Sequence, residues 1–295
     1  MQEFRYNLEI NLLQIHKKLI SKKYIPDPYK PFCIQDPKKR LIHKAEVSDR
    51  VVHQAIINII EPIFDKSFIN DSFSCRKGKG THKAVKRFKY FLQKVSKNNT
   101  QQTWILKCDV KRFFDSINHD ILKELLHKKI ECSETINLLN IIIDSFEKSE
   151  NTGLPLGNLT SQFFGNIYLH ELDFFIKHSL KVKYYLRYCD DMILVSNSKI
   201  ELQSWLKTIT EFLYKNLKLE IHPSKIFFRK YTQGMDFLGY ITFPNYTILR
   251  KSTKQRIIKK WSGLNNDQKN SYYGVLKYSK SFKIKKILNK EETNI

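Results

Sequence analysis

Two adjacent aspartates, Asp190 and Asp191, interrupt the run Tyr184-Tyr-Leu-Arg-Tyr-Cys-Asp-Asp-Met-Ile-Leu-Val195, which is otherwise rich in aromatic and β-branched residues. Strand-favouring residues on both sides of a turn-favouring pair predict a hairpin that presents both carboxylates at its tip. Neighbouring like charges repel and raise one another's pKa unless a divalent cation lies between them. A solvated turn is the plain reading of an isolated pair, and a third carboxylate shifts the balance. From Trp104 to Val110, Trp104, Leu106, Cys108 and Val110 alternate with Ile105, Lys107 and Asp109, which predicts a strand ending at Asp109. Three carboxylates could hold two hard divalent cations, with a backbone carbonyl such as that of Val110 helping to complete the shells. Ions roughly 3.5 to 4 Å apart would suit phosphoryl transfer, one activating the attacking oxygen and the other stabilising the leaving oxygen. Cationic side chains would stabilise the charge that builds on the phosphates; Arg40, Arg76 and Lys225 are candidates, each equally readable as an ordinary surface charge.

The elements that must position these groups follow from periodicity. Leu8, Leu12, Ile15 and Leu19 predict a helix within residues 5–24, stopped by Pro26 and Pro28. A proline-rich piece to Pro37 leads into a basic strand over 38–44, then a helix from near Asp49 with Val52, Ala55, Ile56, Ile59 and Ile60 along one side. Ser72 to Thr81 sets Gly78 and Gly80 among basic residues, a loop able to approach phosphates or a solvated basic turn. After Asp109 come a turn over 111–115, a helix capped by Asn118 with Leu122, Leu125, Leu126 and Ile130 on its buried face, and a second helix over 134–146. A turn at Gly153 to Gly157 precedes a long helix over 159–180. Ser198 and Glu201 form a capping box for an amphipathic helix through Leu213. Residues 217–228 predict a strand, 235–249 a further hairpin turning at Pro244-Asn245, and the basic remainder a helix around Ile257, Ile258 and Trp261. Strand, three helices, hairpin, helix, strand is the order of a split βαβ unit, an α+β fold with an antiparallel sheet backed by helices.

The chain has 295 residues, and its 41% hydrophobic content is enough for continuous cores. Its net charge of +23 calls for a polyanionic partner. The basic residues run along the whole length and are interleaved with 15 Tyr and 20 Phe, which suits nucleic acid better than a membrane surface. No stretch approaches the ~20 apolar residues of a membrane span, and the first residues do not resemble a signal peptide, so a cytoplasmic location is expected. The five cysteines, Cys33, Cys75, Cys108, Cys132 and Cys189, include no C-x-x-C pair and support neither a disulfide framework nor a zinc site.

In this order the blocks resemble those of a bacterial reverse transcriptase. Trp104 to Ile117 is similar to the motif with the first catalytic aspartate, and Tyr188-Cys-Asp-Asp191 to the Y-x-D-D box. The blocks around Arg40 and Arg76 resemble finger motifs that hold the incoming triphosphate, Leu219 to Phe228 the motif after the box, and Phe237-Leu-Gly-Tyr240 the primer grip. The resemblance spans about Asn7 to Trp261 and implies a right-hand polymerase. It places an N-terminal segment and fingers over 1–103, a palm over 104–244 with finger and palm helices 134–180, and the primer-grip end and short helical thumb over 245–295. It further implies Asp109, Asp190 and Asp191 as catalytic residues, holding two Mg2+ ions, for which Mn2+ could substitute, together with Val110. Arg40, Arg76, Phe114, Leu156, Gln162 and Lys225 would meet the deoxynucleoside triphosphate, and Phe237, Leu238 and Gly239 the primer. Phe114 would be the steric gate that excludes a ribose 2′-hydroxyl; otherwise it is an ordinary core phenylalanine. Template RNA and an RNA/DNA duplex are the implied partners.

The stretch Leu156-Gly-Asn-Leu-Thr-Ser-Gln162 stands where most reverse transcriptases have Gln-Gly and Ser-Pro, and is similar to the motif of those in diversity-generating retroelements. The loop from Ser74 to His82 is also like theirs. Those enzymes copy a template-repeat RNA with frequent errors opposite adenine and work with a small basic accessory protein. An aliphatic Leu156 cannot make the polar contacts of a glutamine, so the nascent pair would be held less firmly. No ribonuclease H block, His-Asn-His motif or maturase-sized extension is seen, which weakens the expectation of an intron-encoded enzyme, and the Val-Thr-Gly of retron enzymes is missing as well. Two rivals stand beside this reading: a reverse transcriptase used in phage defence, with the same palm chemistry, and a non-catalytic RNA-binding scaffold, against which the three aspartates speak.

Overall fold

The computed structural model describes residues 2–35 and 38–293, with side chains as far as 288; Pro37, which closes the proline-rich piece, and Ile295, the end of the expected thumb, lie outside them. Two short helices, α1 (Gln2–Tyr6) and α2 (Leu8–Ile20), meet at Asn7, so the expected opening helix is broken there; Ile15 and Leu19 pack against the core while Leu8 and Leu12 are exposed. An antiparallel ribbon follows, β1 (Lys30–Ile34) with β2 (Arg40–Lys44). Helix α3 (Val47–Asp65) buries Val52, Ile56 and Ile60, but Ile59 turns outward at 66% exposure, one step off the buried stripe. Helix α4 (Thr81–Val95) then leads to β3 (Trp104–Asp109).

Past β3 lie α5 (His119–His127), α6 (Ser133–Asp144) and α7 (Leu159–Phe174), then β4 (Tyr185–Tyr188), β5 (Asp191–Ser196) and α8 (Lys199–Leu217). Asn118 caps α5 by accepting from the Ile121 amide at 3.1 Å, as its sequence position predicts. The long helix expected to Leu180 loosens at Phe175–Ser179 into one wider π turn. Ser198 accepts from the Glu201 amide, but the Glu201 carboxylate turns to the Ser196 hydroxyl, so the capping box does not close on itself.

Residues 217–228 are not one strand. Lys218 in the left-handed region (φ 50°) ends α8, and Val110 and Ile221 form an isolated bridge. His222 caps a single tight turn, Pro223–Lys225, where the proline has no N–H to give a ladder, and only β6 (Phe227–Lys230) pairs with β3. Residues 235–249 make three strands rather than two: β7 (Met235–Phe237), β8 (Tyr240–Thr242) and β9 (Thr247–Leu249). The additional reversal sits at Leu238 (φ 51°) and Gly239 (φ 87°), two successive positive-φ residues joining β7 to β8. Helices α9 (Lys251–Lys260), α10 (Asn266–Lys277) and α11 (Phe282–Thr293) complete the described chain.

The central sheet is antiparallel in the order β4-β5-β3-β6, the architecture expected of a split βαβ unit. Alternation along β3 gives each face its own core. Leu106, Cys108 and Val110 join a cluster with α3 and α5 through α8, while Ile105 joins a second cluster with α4, β7–β9 and the C-terminal helices. Both faces are therefore covered, which explains why β5 is apolar from Met192 to Val195 rather than alternating. Among the described residues no helix is long and apolar enough to cross a membrane.

Candidate active site

The β4–β5 hairpin closes on the pair Tyr188 and Asp191, so its turn has two residues, Cys189 and Asp190. Cys189 adopts φ 56°, the left-handed region that primed two-residue turns require and that a side chain occupies at a cost of order 1 kcal/mol. A buried network holds the turn in place. Arg187, fully buried, donates from Nη1 to the Cys189 carbonyl at 2.9 Å and to Asn166 Oδ1 at 3.2 Å. Its Nε and Nη2 reach Asp173, also fully buried, at 2.8 and 2.6 Å, and Tyr185 donates to the same carboxylate at 2.6 Å. Asn166 in turn donates to the Ser74 carbonyl at 2.9 Å, and the Phe73 amide to the Arg187 carbonyl at 3.0 Å. The hairpin and the loop before α4 are thus one hydrogen-bonded unit. A desolvated ion pair persists only when its remaining donors and acceptors are met, as they are here.

Register brings the third carboxylate in. Asp109 is the β3 partner of Asp191, and both lie on the sheet face of Ile105 and Lys107. Lys225 donates to Asp109 Oδ1 at 2.6 Å, and Lys107 Nζ lies 3.4 Å from Asp191 Oδ1. Burial, with Asp109 and Asp191 adding their repulsion, pushes the Asp190 carboxyl up to about 6. Burial also raises Asp191, against the pull of Lys107. The bridge at Ile221 uses the Asp109 carbonyl and the Lys111 amide, leaving the carbonyl of buried Val110 outside it.

Asp190 and Asp191 open on a cavity of about 650 Å³ whose lining includes Arg40, Phe114, Leu156, Gln162 and Leu238. Strand β2 is brought there by the turn before α7: the His43 amide donates to the Leu156 carbonyl at 2.9 Å, and Asn158 bridges the Ala45 amide and the His43 carbonyl. Gly157 (φ 106°) permits that approach, since a Cβ there would lie 2.4 Å from Ile42 Cγ2. Gln162 accepts from the Cys75 thiol at 3.1 Å. Phe113 is buried, and half-buried Phe114 stands beside it with ring centroids 5.1 Å apart. Gly165 on α7 makes room for both, a Cβ there lying 3.0 Å from Phe113 Cε1 and 3.4 Å from Phe114 Cε1.

Several expected site residues are elsewhere. Arg76 does not line the cavity: its guanidinium is spent on Asp65 at 2.6 Å and on the carbonyls of Ile69, Ser72 and Asp65, so it shapes the loop instead of facing phosphate. Phe237 is fully buried against Phe88, and Gly239 supplies the turn; of the expected primer-grip trio only Leu238 lines the cavity. Lys225 is engaged with Asp109 rather than with the cavity wall. Two residues passed over in the sequence belong to the site's framework. Arg187 and Lys107 are charges inside otherwise apolar strands, and such charges signal a buried partner.

Carboxylate oxygens are hard donors of the kind Mg2+ takes, and the mutual repulsion of the three is what such a cation would relieve. Among the described residues no group of three or more His, Cys, Asp and Glu side chains is gathered closely enough to hold a metal ion. Lys225 pairs with Asp109 and Lys107 with Asp191.

Solved structures with the same architecture include telomerase from Candida albicans in complex with a fragment of telomeric RNA (TM-score 0.57, 14% identity, covering 79% of this chain and 46% of that one). Telomerase from Candida tropicalis in a like complex is similar (TM-score 0.55, 15% identity, 83% and 49%). At such identity they speak for the fold, and the fold is that of a right-hand polymerase. Residues 25–242 match the family described as reverse transcriptase (RNA-dependent DNA polymerase), and the chain belongs to it. Protein YkfC of Escherichia coli (strain K12) is 24% identical over 281 residues, 81% of this chain and 72% of its own length. Group II intron-encoded protein LtrA of Lactococcus lactis subsp. cremoris is 24% identical over 305 residues, and the chain spans about half of it (49%). An intron-encoded protein is thus among the relatives, matched over about half of its length.

Proposed function

We propose that the protein makes DNA on an RNA template by nucleotidyl transfer at Asp109, Asp190 and Asp191, and that it does so with frequent error, as in diversity-generating retroelements. What carries the catalytic part is the register that sets Asp109 opposite Asp191 with Asp190 on the adjoining turn, the last two at the wall of a cavity that Arg40 and Phe114 also line. Two Mg2+ ions, or Mn2+ in their place, held by these carboxylates and the Val110 carbonyl, would supply nucleophile activation and charge neutralisation. The chain's own groups do the rest. Arg40 faces the triphosphate, Phe114 crowds the sugar 2′ position, and Lys225 stands beside Asp109 as a proton source for pyrophosphate. Fingers over 1–103, palm over 104–244 and thumb over 245–295 would enclose template RNA and an RNA/DNA duplex, with a small basic accessory protein as a further partner.

The error-prone part rests on Leu156, an aliphatic side chain on the cavity wall where a glutamine would offer polar contacts. Primer extension on a defined RNA with Mg2+, followed by sequencing of the product, tests both parts. Leu156→Gln is expected to lower misincorporation opposite adenine by about fivefold or more, on the scale of a binding difference of 1 kcal/mol. Unchanged error rates would reject the role of Leu156. LtrA favours a second reading, an enzyme of the intron-encoded type, and even, low error across all four template bases would support that instead. A phage-defence enzyme would share the chemistry, and its flanking DNA would lack near-identical repeats that differ at adenines.

A further inference from the structure

Lys107 lies on β3 between buried Ile105 and Asp109, on the same face, and its side chain is only 14% exposed. Its ammonium lies 3.4 Å from Asp191 Oδ1 and donates to the backbone carbonyl of Asp236 at 3.2 Å. Asp236 is the middle residue of β7, and its carboxylate accepts from Arg250 Nη2 at 2.6 Å, immediately before α9. The same strand runs directly into the Leu238-Gly239 turn, and Leu238 lines the cavity that Asp190 and Asp191 also line. One cation therefore spans the Asp191 carboxylate of the hairpin and the strand that leads to Leu238 on the cavity wall.

Enclosing an ammonium is costly unless acceptors replace its water. A counterion for Asp191 alone could stand at the open side of the carboxylate and keep its hydration. Lys107 gives that up and takes a main-chain carbonyl of a different element, which fixes a distance between the two. A flexible stem with three donors suits such a link.

We propose that Lys107 is a positioning residue that ties Asp191 to β7, so that the carboxylate and the Leu238 wall of the cavity, where the resemblance implies the primer 3′ end, move as one body. The inference rests on the catalytic reading of Asp191 given above. Lys107→Met removes both contacts at similar volume, and Lys107→Arg keeps charge and donors. The full chain is compared by thermal melting, by single-turnover extension, and by the fluorescence of 2-aminopurine at the primer 3′ end in the RNA–primer complex without nucleotide or metal. For Lys107→Met the melting midpoint is expected to stay near wild type, kcat to fall about tenfold or more with the nucleotide KM little changed, and fluorescence to rise as the primer end loosens; Lys107→Arg recovers part of both signals. Wild-type fluorescence with reduced kcat would make Lys107 a local counterion only and reject the link. Wild-type values of both would reject any role, and failure of both variants to fold would make it a residue of the core. Should the wild type itself extend nothing, the catalytic reading falls while the fluorescence comparison still decides whether the link exists.

Discussion

Asp190 carries the sharpest conflict between folding and use. It is half-buried, two other carboxylates repel it, and its carboxyl is raised from 3.8 to about 6. Between those values the metal-free folded chain keeps a proton that the unfolded chain has lost, so stability falls as pH climbs from about 4 to about 6 and stays lower above. Asp190→Asn removes the repelling charge and is expected to stabilise the metal-free protein at pH 8 by about 1–3 kcal/mol and to flatten the fall between pH 4 and 6. Urea unfolding in EDTA across that range measures it. A variant no more stable than wild type at pH 8 would mean that the three carboxylates do not burden one another.

At the scale of elements, the hairpin stands on the Arg187–Asp173 pair. Asp173→Ala strands a buried guanidinium and is expected to cost about 3–5 kcal/mol, read as a shift of the urea midpoint. Replacing both partners by Leu at 173 and Met at 187 should recover most of that loss, since an apolar pair of similar volume often matches a buried ion pair. Extension should nevertheless stay well below wild type, because the Cys189 carbonyl has lost its donor and the turn bearing Asp190 is no longer fixed. Full activity in the stable double variant would show that Arg187 serves folding alone. These elements also show what a sequence discloses. The Asn118 cap, the alternation along β3 and the hairpin were legible because each depends on residues a few positions apart. Residues 217–226 misled because their apolar content suits a strand while Lys218 and Pro223 impose turns. The motif around Arg76 implies a contact with the triphosphate, and nothing local to it announces Asp65, eleven residues away. The partners of Arg187 and Lys107 come from α7 and β7, and only the folded topology brings them within reach.

For the whole molecule the governing quantity is the charge of +23. Part of it collects in a cleft between α4 and the C-terminal region, lined by Lys86, Lys89, Lys277 and Lys280 with Tyr246 and Tyr278, and none of its lining residues is acidic. Single-stranded RNA there would gain phosphate contacts, while the rings of Tyr278 and Tyr246 are already stacked on His82 and Phe243. Binding should weaken steeply with salt, and alanine at the four lysines should lower the slope of log affinity against log salt by about 2 to 3, from roughly 0.7 per lost phosphate contact. The same four-charge loss along α8 and at its C-cap, at Lys199, Lys207, Lys215 and Lys218, should change it less; fluorescence anisotropy with a labelled RNA measures both. Equal effects would mean that the cleft is merely one part of a generally basic surface. The most direct measurement of all is single-nucleotide extension of a primer on a defined RNA with Mg2+, comparing wild type with Asp190→Asn while RNA affinity is followed in parallel. Template-directed addition by the wild type, lost in the variant at undiminished RNA affinity, is the expected result; equal extension by both, or none by either while RNA is still bound, would contradict catalysis at Asp109, Asp190 and Asp191.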